Sequence, residues 1–373
     1  MKFVSVIIPC RNEAAFIGRC LDSILENDYP REAMEVIVAD GMSTDGTRAL
    51  IDEYAARDRR VRRIDNPERV TPCALNRAIH VSAGEVIARV DAHARIAPNY
   101  LSRCVFYLEL TEADNVGGAM RTLPRAEGPF AGAIVAALAH RFGVGNSYFR
   151  IGRARAEWVD TVFGGCWRRE VFERIGLFNE RLTRSQDMEF SRRLKRAGGR
   201  TLLAPEIESE YFARSDLGSF WRHNFSNGEW AVLPFLYSDA IPVSLRHLVP
   251  MMFVMGLAAG AMAEAWTGIP LAAIGIPYLA ASAASSVELA WRARRWDSLW
   301  KLPVVFASLH VGYGLGSVRG LFKLVAKWVR SPDPRSPAGS VSNRDTPEGA
   351  ALRRRNPRGS GASAGAEFGS GRR

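Results

Sequence analysis

The chain has 373 residues, of which 47% are apolar and 24% charged, so it is long enough for two globular domains. Its net charge of +11 suggests nucleic acid as a partner, but zinc-finger spacing and aromatic-basic RNA-binding signatures are both missing. Many basic residues lie instead beside apolar segments, in Trp291–Lys301, in Lys323–Arg330 and in the tail, as expected near anionic lipid. We therefore predict a membrane partner and no nucleic-acid partner.

The first 110 residues alternate apolar, β-branched runs with segments of helical periodicity. Runs that are apolar almost throughout are typical of a parallel sheet that helices cover on both faces. Asn12 is expected to cap the first helix, and Thr71 to cap the third. The predicted strands are Val4–Pro9, Val36–Ala39, Val61–Ile64 and Val86–Val90, and the second and third helices are Thr47–Ala56 and Thr71–Val81. This alternation predicts a doubly wound α/β fold.

Polar segments follow three of these strands directly. They are Pro9–Glu13, Asp40–Gly46 and Asp91–His93. Open α/β sheets bind ligands outside the carboxyl ends of their strands, so we expect the chemistry there. The G-x-G-x-x-G fingerprint is missing after the first strand and no G-x-x-x-x-G-K-[ST] occurs. A dinucleotide-binding dehydrogenase and a P-loop nucleotidase are therefore disfavoured.

Asp91 and His93 stand two residues apart at the end of a buried strand. In extended backbone such residues point the same way, so a carboxylate and an imidazole can face one point. Together they could bind a divalent metal, and the metal could hold a nucleotide diphosphate. The alternative is a strand end with two solvated polar residues.

The pattern changes between residues 111 and 240. The apolar helix Phe130–Phe142 is either core or membrane surface, and both alternatives stay open. Val162–Trp167 is a glycine-rich bend where backbone can approach a ligand closely. The other predicted elements are strands Val116–Leu123 and Thr201–Ala204 and helices Glu170–Ile175, Arg184–Lys195 and Leu217–Phe225.

The segment Leu248–Ala290 is long and apolar enough for two membrane-spanning helices joined near Thr267–Pro270. A third apolar stretch, Leu302–Val318, is either interfacial or a third span. A third span would move the basic residues that follow it to the outer side, against the positive-inside rule. We nevertheless favour the full span, and so predict two or three membrane helices within residues 246–322. Residues 331–373 are predicted to be a disordered basic tail.

Two observations concern the cellular compartment. The five cysteines show no C-x-x-C pair, which is typical of free thiols in a reducing cytosol. The N-terminal apolar run Phe3–Pro9 is too short for a signal peptide. We therefore expect a plasma or inner membrane protein whose first part is cytoplasmic.

Five motifs in order resemble the family-2 glycosyltransferases of the GT-A fold. They are VSVIIPCRNEA, VIVADGMSTDGT, RVDAHARI, GGCWRREVFERIGLFNERL and SQDMEFSRRLKRAGG, and the resemblance extends from about Phe3 to Leu233. The DAH variant and the apolar helices look most like the bacterial exopolysaccharide branch, with its succinoglycan-type glucosyltransferases. The resemblance implies a GT-A domain over residues 1–240, with a nucleotide-binding half at 1–110 and an acceptor half at 111–240.

The resemblance also implies roles for the donor side of the site. Asp91 and His93 would bind Mn²⁺ or Mg²⁺, and the imidazole tilts the preference weakly toward manganese. Pro9, Glu13 and Asp40 would lie against the nucleotide, with the two carboxylates accepting hydrogen bonds from uracil and ribose. The alternatives are a first-turn helix acid for Glu13 and an Asx-turn residue for Asp40. Asp45 is ranked lower, as a turn residue.

On the acceptor side, Asp187 matches the general base of the family, and the alternative is a helix cap. Glu189 is the reserve candidate. Gly164, Gly165 and Trp167 resemble the loop that holds the donor sugar and the acceptor, and the alternative for Trp167 is a core residue.

These roles imply an inverting transferase that uses a nucleotide sugar, UDP-glucose or a close relative. The Gln-x-x-Arg-Trp signature of processive synthases is missing before the apolar helices, which favours addition of a single sugar. The acceptor is then expected to be a saccharide on a polyprenyl diphosphate lipid. A processive synthase and a non-catalytic scaffold of a polysaccharide assembly complex remain the alternatives.

Overall fold

A computed structural model of the chain describes residues 1–238, 242, 244–267 and 271–330. The predicted helix joint at Thr267–Pro270 lies mostly outside these residues, and the predicted tail, 331–373, lies entirely outside them. The strands are β1 (Val4–Cys10), β2 (Met34–Asp40), β3 (Val61–Asp65), β4 (Val86–Arg89), β5 (Ala94–Ile96), β6 (Asn115–Pro124), β7 (Glu157–Val159), β8 (Cys166–Arg168) and β9 (Thr201–Ala213). The α-helices are α1 (Ile17–Leu25), α2 (Thr47–Arg57), α3 (Thr71–Val81), α4 (Tyr100–Thr111), α5 (Ala131–Leu138), α6 (Arg141–Val144), α7 (Tyr148–Ile151), α8 (Arg169–Ile175), α9 (Gln186–Arg196), α10 (Leu217–Val232), α11 (Val249–Thr267), α12 (Ala272–Ala293) and α13 (Lys301–Arg330).

The strands of the described residues form one mixed sheet in the order β3-β2-β1-β4-β8-β6-β9-β5, with β7 paired to β9. Strand β1 lies parallel to β2 on one side and to β4 on the other. Strand β8 runs antiparallel to both of its neighbours, β4 and β6. The chain thus passes from β1 to β2 and β3 on one side of β1 and returns with β4 on the other side. This reversal of strand order opens a crevice at the carboxyl ends of β1 and β4.

Side chains of β1 alternate between two cores, as the period of a strand requires. Val6 and Ile8 belong to the core beneath α1 and α4, whereas Ile7 belongs to the core beneath α3, α8 and α9. All three are fully buried, which is why the strand is apolar on both faces. The predicted doubly wound α/β architecture is therefore confirmed for this part of the sheet.

Some predicted element bounds are wrong. Asn12 does not cap the first helix, since its φ is +54° and α1 begins only at Ile17. Thr71 is the first residue of α3 rather than its cap. The last strand extends to Ala213 because β9 pairs with β6 past a bulge at Gly118 and Ala119.

The apolar helix predicted at Phe130–Phe142 divides into α5 and α6. Its side chains join a core cluster with α10 and α13, in which Ile134, Phe220 and Phe306 are buried. The core alternative is therefore correct for this segment, and its apolar composition reflects protein packing rather than a membrane surface.

Helix α13 packs along α10 through glycines. A Cβ built on Gly316 would lie 1.9 Å from the carbonyl oxygen of Phe225, and one built on Gly228 would lie 1.9 Å from that of Tyr313. The hydroxyl of Ser317 also donates to the carbonyl oxygen of Gly228 at 3.0 Å. Backbones this close require residues without a side chain, so the pair is specified by its glycines.

Two helices of the described residues are long and apolar enough to cross a membrane, Arg246–Glu264 and Ala272–Ala293. Helix α13 is not one of them, and the full span favoured from the sequence is not supported. One face of α13 is covered by protein, while Phe322, Val325 and Val329 are exposed between its basic residues. This pattern is typical of an interfacial helix, and it removes the conflict with the positive-inside rule.

The contact between α10 and α13 leads to the first prediction. We expect Gly316→Ala to lower the free energy of unfolding by about 1–3 kcal/mol, because the added methyl group forces the two helices apart. The measurement is the melting temperature of the detergent-solubilised protein. Gly275→Ala on α12 is the matched control, since no described atom lies within 4 Å of its Cβ. Equal melting temperatures for the two variants would contradict the close approach of the helices.

Candidate active site

A cavity of about 580 Å³ lies at the carboxyl ends of β1 and β4, where the sheet opens. Five of the residues predicted from the sequence line it together: Pro9, Glu13, Asp91, His93 and Asp187. They come from three separate motifs, and the fold brings them to one space. Asp40, Gly164, Gly165 and Trp167 are not among the lining residues.

The loops after β1 and β2 are bound to each other. The hydroxyl of Ser43 accepts from the backbone amide of Asn12 at 2.8 Å, and the Asn12 side chain accepts from the amide of Thr44 at 2.9 Å. Thr47 accepts from the amide of Glu13 at 2.9 Å. Asp45 accepts from the amide of Ala14 at 3.1 Å, which agrees with its predicted role as a turn residue. Because these bonds close the loop pair, the cavity wall is held in one conformation without a ligand.

Asp40 supports this loop from beneath. Its side chain has no exposed surface, and Ser43 and Arg48 donate to its two oxygens, Arg48 at 2.7 Å. Arg48 also binds Asp65 at 2.9 Å, so it joins the ends of β2 and β3. The hydrogen bonds from Ser43 agree with the Asx-turn alternative, and the contact of Asp40 with uracil or ribose stays a prediction.

Asp91, two residues past the end of β4, is paired with Arg89, the last residue of that strand. The Nε of Arg89 donates to Oδ1 of Asp91 at 2.9 Å, and no described group donates to Oδ2. Burial alone would raise the pKa of Asp91, but the positive charges of Arg89 and His93 outweigh it and lower the pKa below its usual value. The carboxylate is therefore ionised over the whole neutral range, with one oxygen open to a ligand.

His93 faces Glu13 across the cavity wall. Its Nδ1 lies 3.0 Å from Oε1 of Glu13, and Arg125 donates to Oε2 of the same carboxylate. A carboxylate at Nδ1 favours the tautomer that leaves Nε2 with its lone pair, the form that binds metals. Both oxygens of Glu13 are thus engaged by protein groups, and contact with a base or ribose would require one of them to change partner.

A divalent cation in the cavity would need oxygen or nitrogen ligands from the side chains that line it. Among the described residues no three His, Cys, Asp or Glu side chains form a cluster that could enclose a metal. Asp91 and His93 alone offer one oxygen and one nitrogen, and cations that bind with nucleotide phosphates need only one or two protein ligands. An ionised carboxylate and an imidazole oriented by Glu13 fit such a cation.

Asp187 lies in the first turn of α9 and is exposed to the cavity. Ser185 precedes the helix with a φ of +61°, and its hydroxyl donates to the carbonyl oxygen of Trp230 at 2.8 Å, which fixes the helix start against α10. No basic group of the described residues lies within ion-pair distance of Asp187. The reserve candidate, Glu189, is buried and accepts from Arg193 at 3.0 Å through each oxygen, so it cannot serve as the base in this conformation.

Trp167 is a core residue, as the alternative interpretation held. Only 4% of it is exposed, and its ring packs against Phe172, Phe178 and Phe190. Gly164 and Gly165 have φ values of +66° and +105° and turn the chain beneath β4, where Gly165 accepts from the amide of Arg89 at 2.9 Å. These three residues do not line the cavity, and their predicted contacts with the donor sugar and the acceptor stay a prediction.

Most of the cavity lining was not predicted from the sequence, and two of the unpredicted residues, Arg89 and Arg125, bind predicted site residues. Burial would lower the pKa of Arg89, but the carboxylates of Asp91 and Asp187 outweigh it and raise the pKa. Arg89 thus lies in the field of both carboxylates. The sequence feature that could have identified Arg89 is its position two residues before Asp91, at the end of the predicted strand. Arg125 gave no comparable signal, because it reaches Glu13 from the distant end of β6.

Comparison with known proteins agrees with this geometry. The family model of glycosyl transferase family 2 matches residues 5–176. The succinoglycan biosynthesis protein ExoA of Rhizobium meliloti (strain 1021) is 32% identical over 79% of this chain and 94% of that protein. A dolichyl N-acetyl-alpha-D-glucosaminyl phosphate glucuronosyltransferase of Methanococcus voltae is 26% identical over 61% of this chain and 72% of that protein.

A solved structure has a similar fold. The mannosyltransferase PcManGT from Pyrobaculum calidifontis, in complex with GDP-Man and Mn²⁺, has a TM-score of 0.56 and 23% identity over 86% of this chain and 88% of that chain. At this identity the likeness concerns the fold alone, a mixed sheet covered by helices. Since the succinoglycan relative is matched over nearly its whole length and the family model covers β1 to β8, this chain belongs to glycosyl transferase family 2 and is a glycosyltransferase of the GT-A fold.

Proposed function

We propose that this enzyme is an inverting glycosyltransferase that moves one sugar from a nucleotide donor to a lipid-linked saccharide. The observation that carries the proposal is the contrast among the three carboxylates that line the cavity. Glu13 and Asp91 are each held by basic side chains, whereas Asp187 has no ion-pair partner among the described residues. A carboxylate without a direct ion pair has its oxygens available to accept a proton from an acceptor hydroxyl.

In the proposed reaction Asp187 acts as general base. It accepts the proton of an acceptor hydroxyl while that oxygen forms a bond to the anomeric carbon of the donor sugar. The bond from the anomeric carbon to the nucleoside diphosphate breaks at the same time, and the diphosphate leaves with the electron pair. A single displacement of this kind inverts the configuration at the anomeric carbon.

Asp91 and His93 are proposed to hold a divalent cation, Mn²⁺ or Mg²⁺, with Glu13 as a positioning residue behind the imidazole. Bound there, the cation would neutralise charge on the leaving diphosphate. Pro9 is proposed to lie against the nucleotide. UDP-glucose or a related UDP-sugar is the proposed donor, on the resemblance to the succinoglycan branch.

The acceptor and the location are proposed on separate grounds. The curated relatives include a protein of succinoglycan biosynthesis and a transferase named for a dolichyl phosphate sugar, which favours a polyprenyl-linked acceptor here. Candidate membrane helices adjoin the cavity, so we propose residues 1–240 as a cytoplasmic catalytic domain and 246–322 as its membrane region, in the plasma or inner membrane. No observation favours a processive synthase or a scaffold.

The proposed base is tested by Asp187→Asn. We expect kcat to fall by about 10²–10⁴-fold, because an amide cannot accept the proton, while the KM for the nucleotide sugar changes little. The measurement is transfer of radiolabelled sugar from UDP-glucose to the lipid fraction of membranes, with Mn²⁺ and with EDTA. Glu173→Gln on α8 is the matched control, since it removes the same charge from an exposed site outside the cavity. Transfer that survives Asp187→Asn would contradict the assignment.

The positioning role of Glu13 is tested by Glu13→Gln. We expect the Mn²⁺ concentration for half-maximal activity to rise by about 10–100-fold, because the imidazole of His93 loses its orienting carboxylate. The KM for the donor at saturating Mn²⁺ should stay within about twofold. The reverse result, a raised donor KM with unchanged Mn²⁺ dependence, would restore the predicted contact between Glu13 and the base or ribose. Glu173→Gln again serves as the control.

A further inference from the structure

A second cavity adjoins the first on the side of the membrane helices. It has a volume of about 370 Å³ and shares Tyr211, Arg214 and His223 with the candidate active site. Its opposite wall is formed at the start of α11 and on α13, where Val249, Pro250 and Leu309 line it. The two cavities are therefore neighbours, one at the sheet and one where the chain enters its first candidate span.

The lining of this second cavity carries charge of one sign. Arg141, Arg150, Arg214 and Arg246 line it, and no Asp or Glu stands among its described lining residues. None of these four guanidinium groups lies within 4.0 Å of a carboxylate of the described chain. Basic groups elsewhere in the protein are commonly paired, as Arg48 is with Asp40 and Arg89 with Asp91. This cavity is distinguished by four such arginines in one lining that contains no carboxylate among its described residues.

The neutral contacts of these arginines do not replace an anion. Arg150 is half-buried, donates to Thr122 at 3.4 Å and lies 5.5 Å from the ring of Tyr211. Arg246 donates to the backbone carbonyl of Asn146 at 3.1 Å. Partly desolvated guanidinium groups without a counter-charge raise the energy of the empty cavity, and an anion would lower it.

His223 is a separate observation that indicates a positive electrostatic field in this cavity. Its Nδ1 is buried and has no hydrogen-bond partner. Burial, together with the positive charges of Arg184, Arg214 and Arg150, lowers the pKa of His223 to about 3, so the imidazole is neutral at physiological pH. A neutral imidazole with an unused nitrogen can donate or accept one further hydrogen bond to a ligand.

We propose that this arginine pocket, defined by Arg141, Arg150, Arg214, Arg246 and His223, binds the phosphate group of the lipid acceptor. Guanidinium groups bind phosphate through paired N–H donors, which suits this residue type. The apolar residues Val249, Pro250 and Leu309 then line the path of the lipid chain toward α11. The inference rests on the proposed function, since it gives the proposed acceptor a position beside the cavity that contains Asp187.

The phosphate of a lipid is favoured over a free phosphate ion because apolar as well as basic residues line the cavity. Phe142 and Phe220 line it together with Leu309, and free phosphate gains nothing from such a wall. A molecule that carries a phosphate at the end of an apolar chain matches both kinds of lining residue. The test must therefore separate the two parts of such a ligand.

The experiment uses the full chain in nanodiscs of phosphatidylcholine, with farnesyl diphosphate as the probe. UDP and Mn²⁺ are present at saturation, so that the donor side is filled and the probe reports the second cavity. We expect farnesyl diphosphate to bind at least about 10-fold more tightly than either inorganic diphosphate or farnesol. Arg150→Gln and Arg246→Gln should each weaken that binding by about 10–100-fold, the range for hydrogen bonds to charged groups.

Arg222→Gln is the matched control, because Arg222 is exposed, lies next to His223 on α10 and lines neither cavity. We expect it to change binding by less than about twofold. Mn²⁺-dependent binding of UDP reports folding in every variant, and if Arg150→Gln loses it, Arg246→Gln carries the test.

Three results would overturn the inference. They are equal affinity for inorganic diphosphate, equal affinity for farnesol, and unchanged affinity in the folded Arg150→Gln and Arg246→Gln variants. Failure of the proposed function looks different. The wild-type protein would then show no Mn²⁺-dependent binding of UDP, while the effect of the arginine variants on farnesyl diphosphate could still be measured without UDP.

Discussion

Ion pairing at the carboxyl end of β4 is the interaction on which the arrangement of the cavity depends. Arg89, only 8% exposed, neutralises Asp91, two residues past the end of that strand. His93 and Arg125 together hold Glu13. Without Arg89 and Arg125, carboxylates gathered in one partly buried space would repel one another. Pairing keeps Asp91 ionised and fixed, and it leaves Asp187 as the carboxylate that differs from the others.

The glycine contacts between α10 and α13 connect this cavity to the membrane helices. Helix α10 contributes His223 to both cavities, and α13 contributes Tyr313 to both. Because α13 lies against α10 at backbone distance, the start of α11 is held beside the sheet rather than at the end of a free linker. An enzyme of this family with a water-soluble donor and a lipid acceptor needs two routes to one reaction centre. The fixed helices would supply the second route.

The sequence was sufficient for the features that depend on local pattern. Strand β1 is apolar at consecutive positions, and this pattern predicted both its burial and the parallel sheet around it. The Asp-x-His spacing predicted two groups at one cavity, although Asp91 and His93 lie in a turn after β4 rather than in extended backbone. Roles that depend on the hydrogen-bond partners of a side chain were not predictable, even where those partners are close in sequence. Asp40 and Asp91 look alike as acids after strands, yet Arg48 and Ser43 occupy Asp40 completely, whereas Arg89 leaves one oxygen of Asp91 open.

The same limit applies to the helices. Glycines in Leu302–Val318 look like the small residues of a membrane span, and only the contact with Phe225 and its neighbours on α10 explains them. Trp167 similarly belongs to a motif shared with the family, but its three phenylalanine neighbours come from α8, α9 and the segment between them. The sequence shows that a glycine or a particular side chain stands at a position. It does not show whether that residue contacts a ligand, a lipid or another helix.

The position of Asp187 among the basic groups of the two cavities has a chemical consequence. A donor diphosphate and an acceptor phosphate are both anions, so a reaction centre that binds both must offset two negative charges in neighbouring places. A carboxylate held by a guanidinium group is a weaker base, and a base placed among the arginines would therefore lose proton affinity. Asp187 lines the first cavity and not the arginine pocket, and no described basic group pairs with it. Arginines line both cavities and Arg214 lines both of them, so the fold provides positive charge for two anions while Asp187 has no direct ion pair.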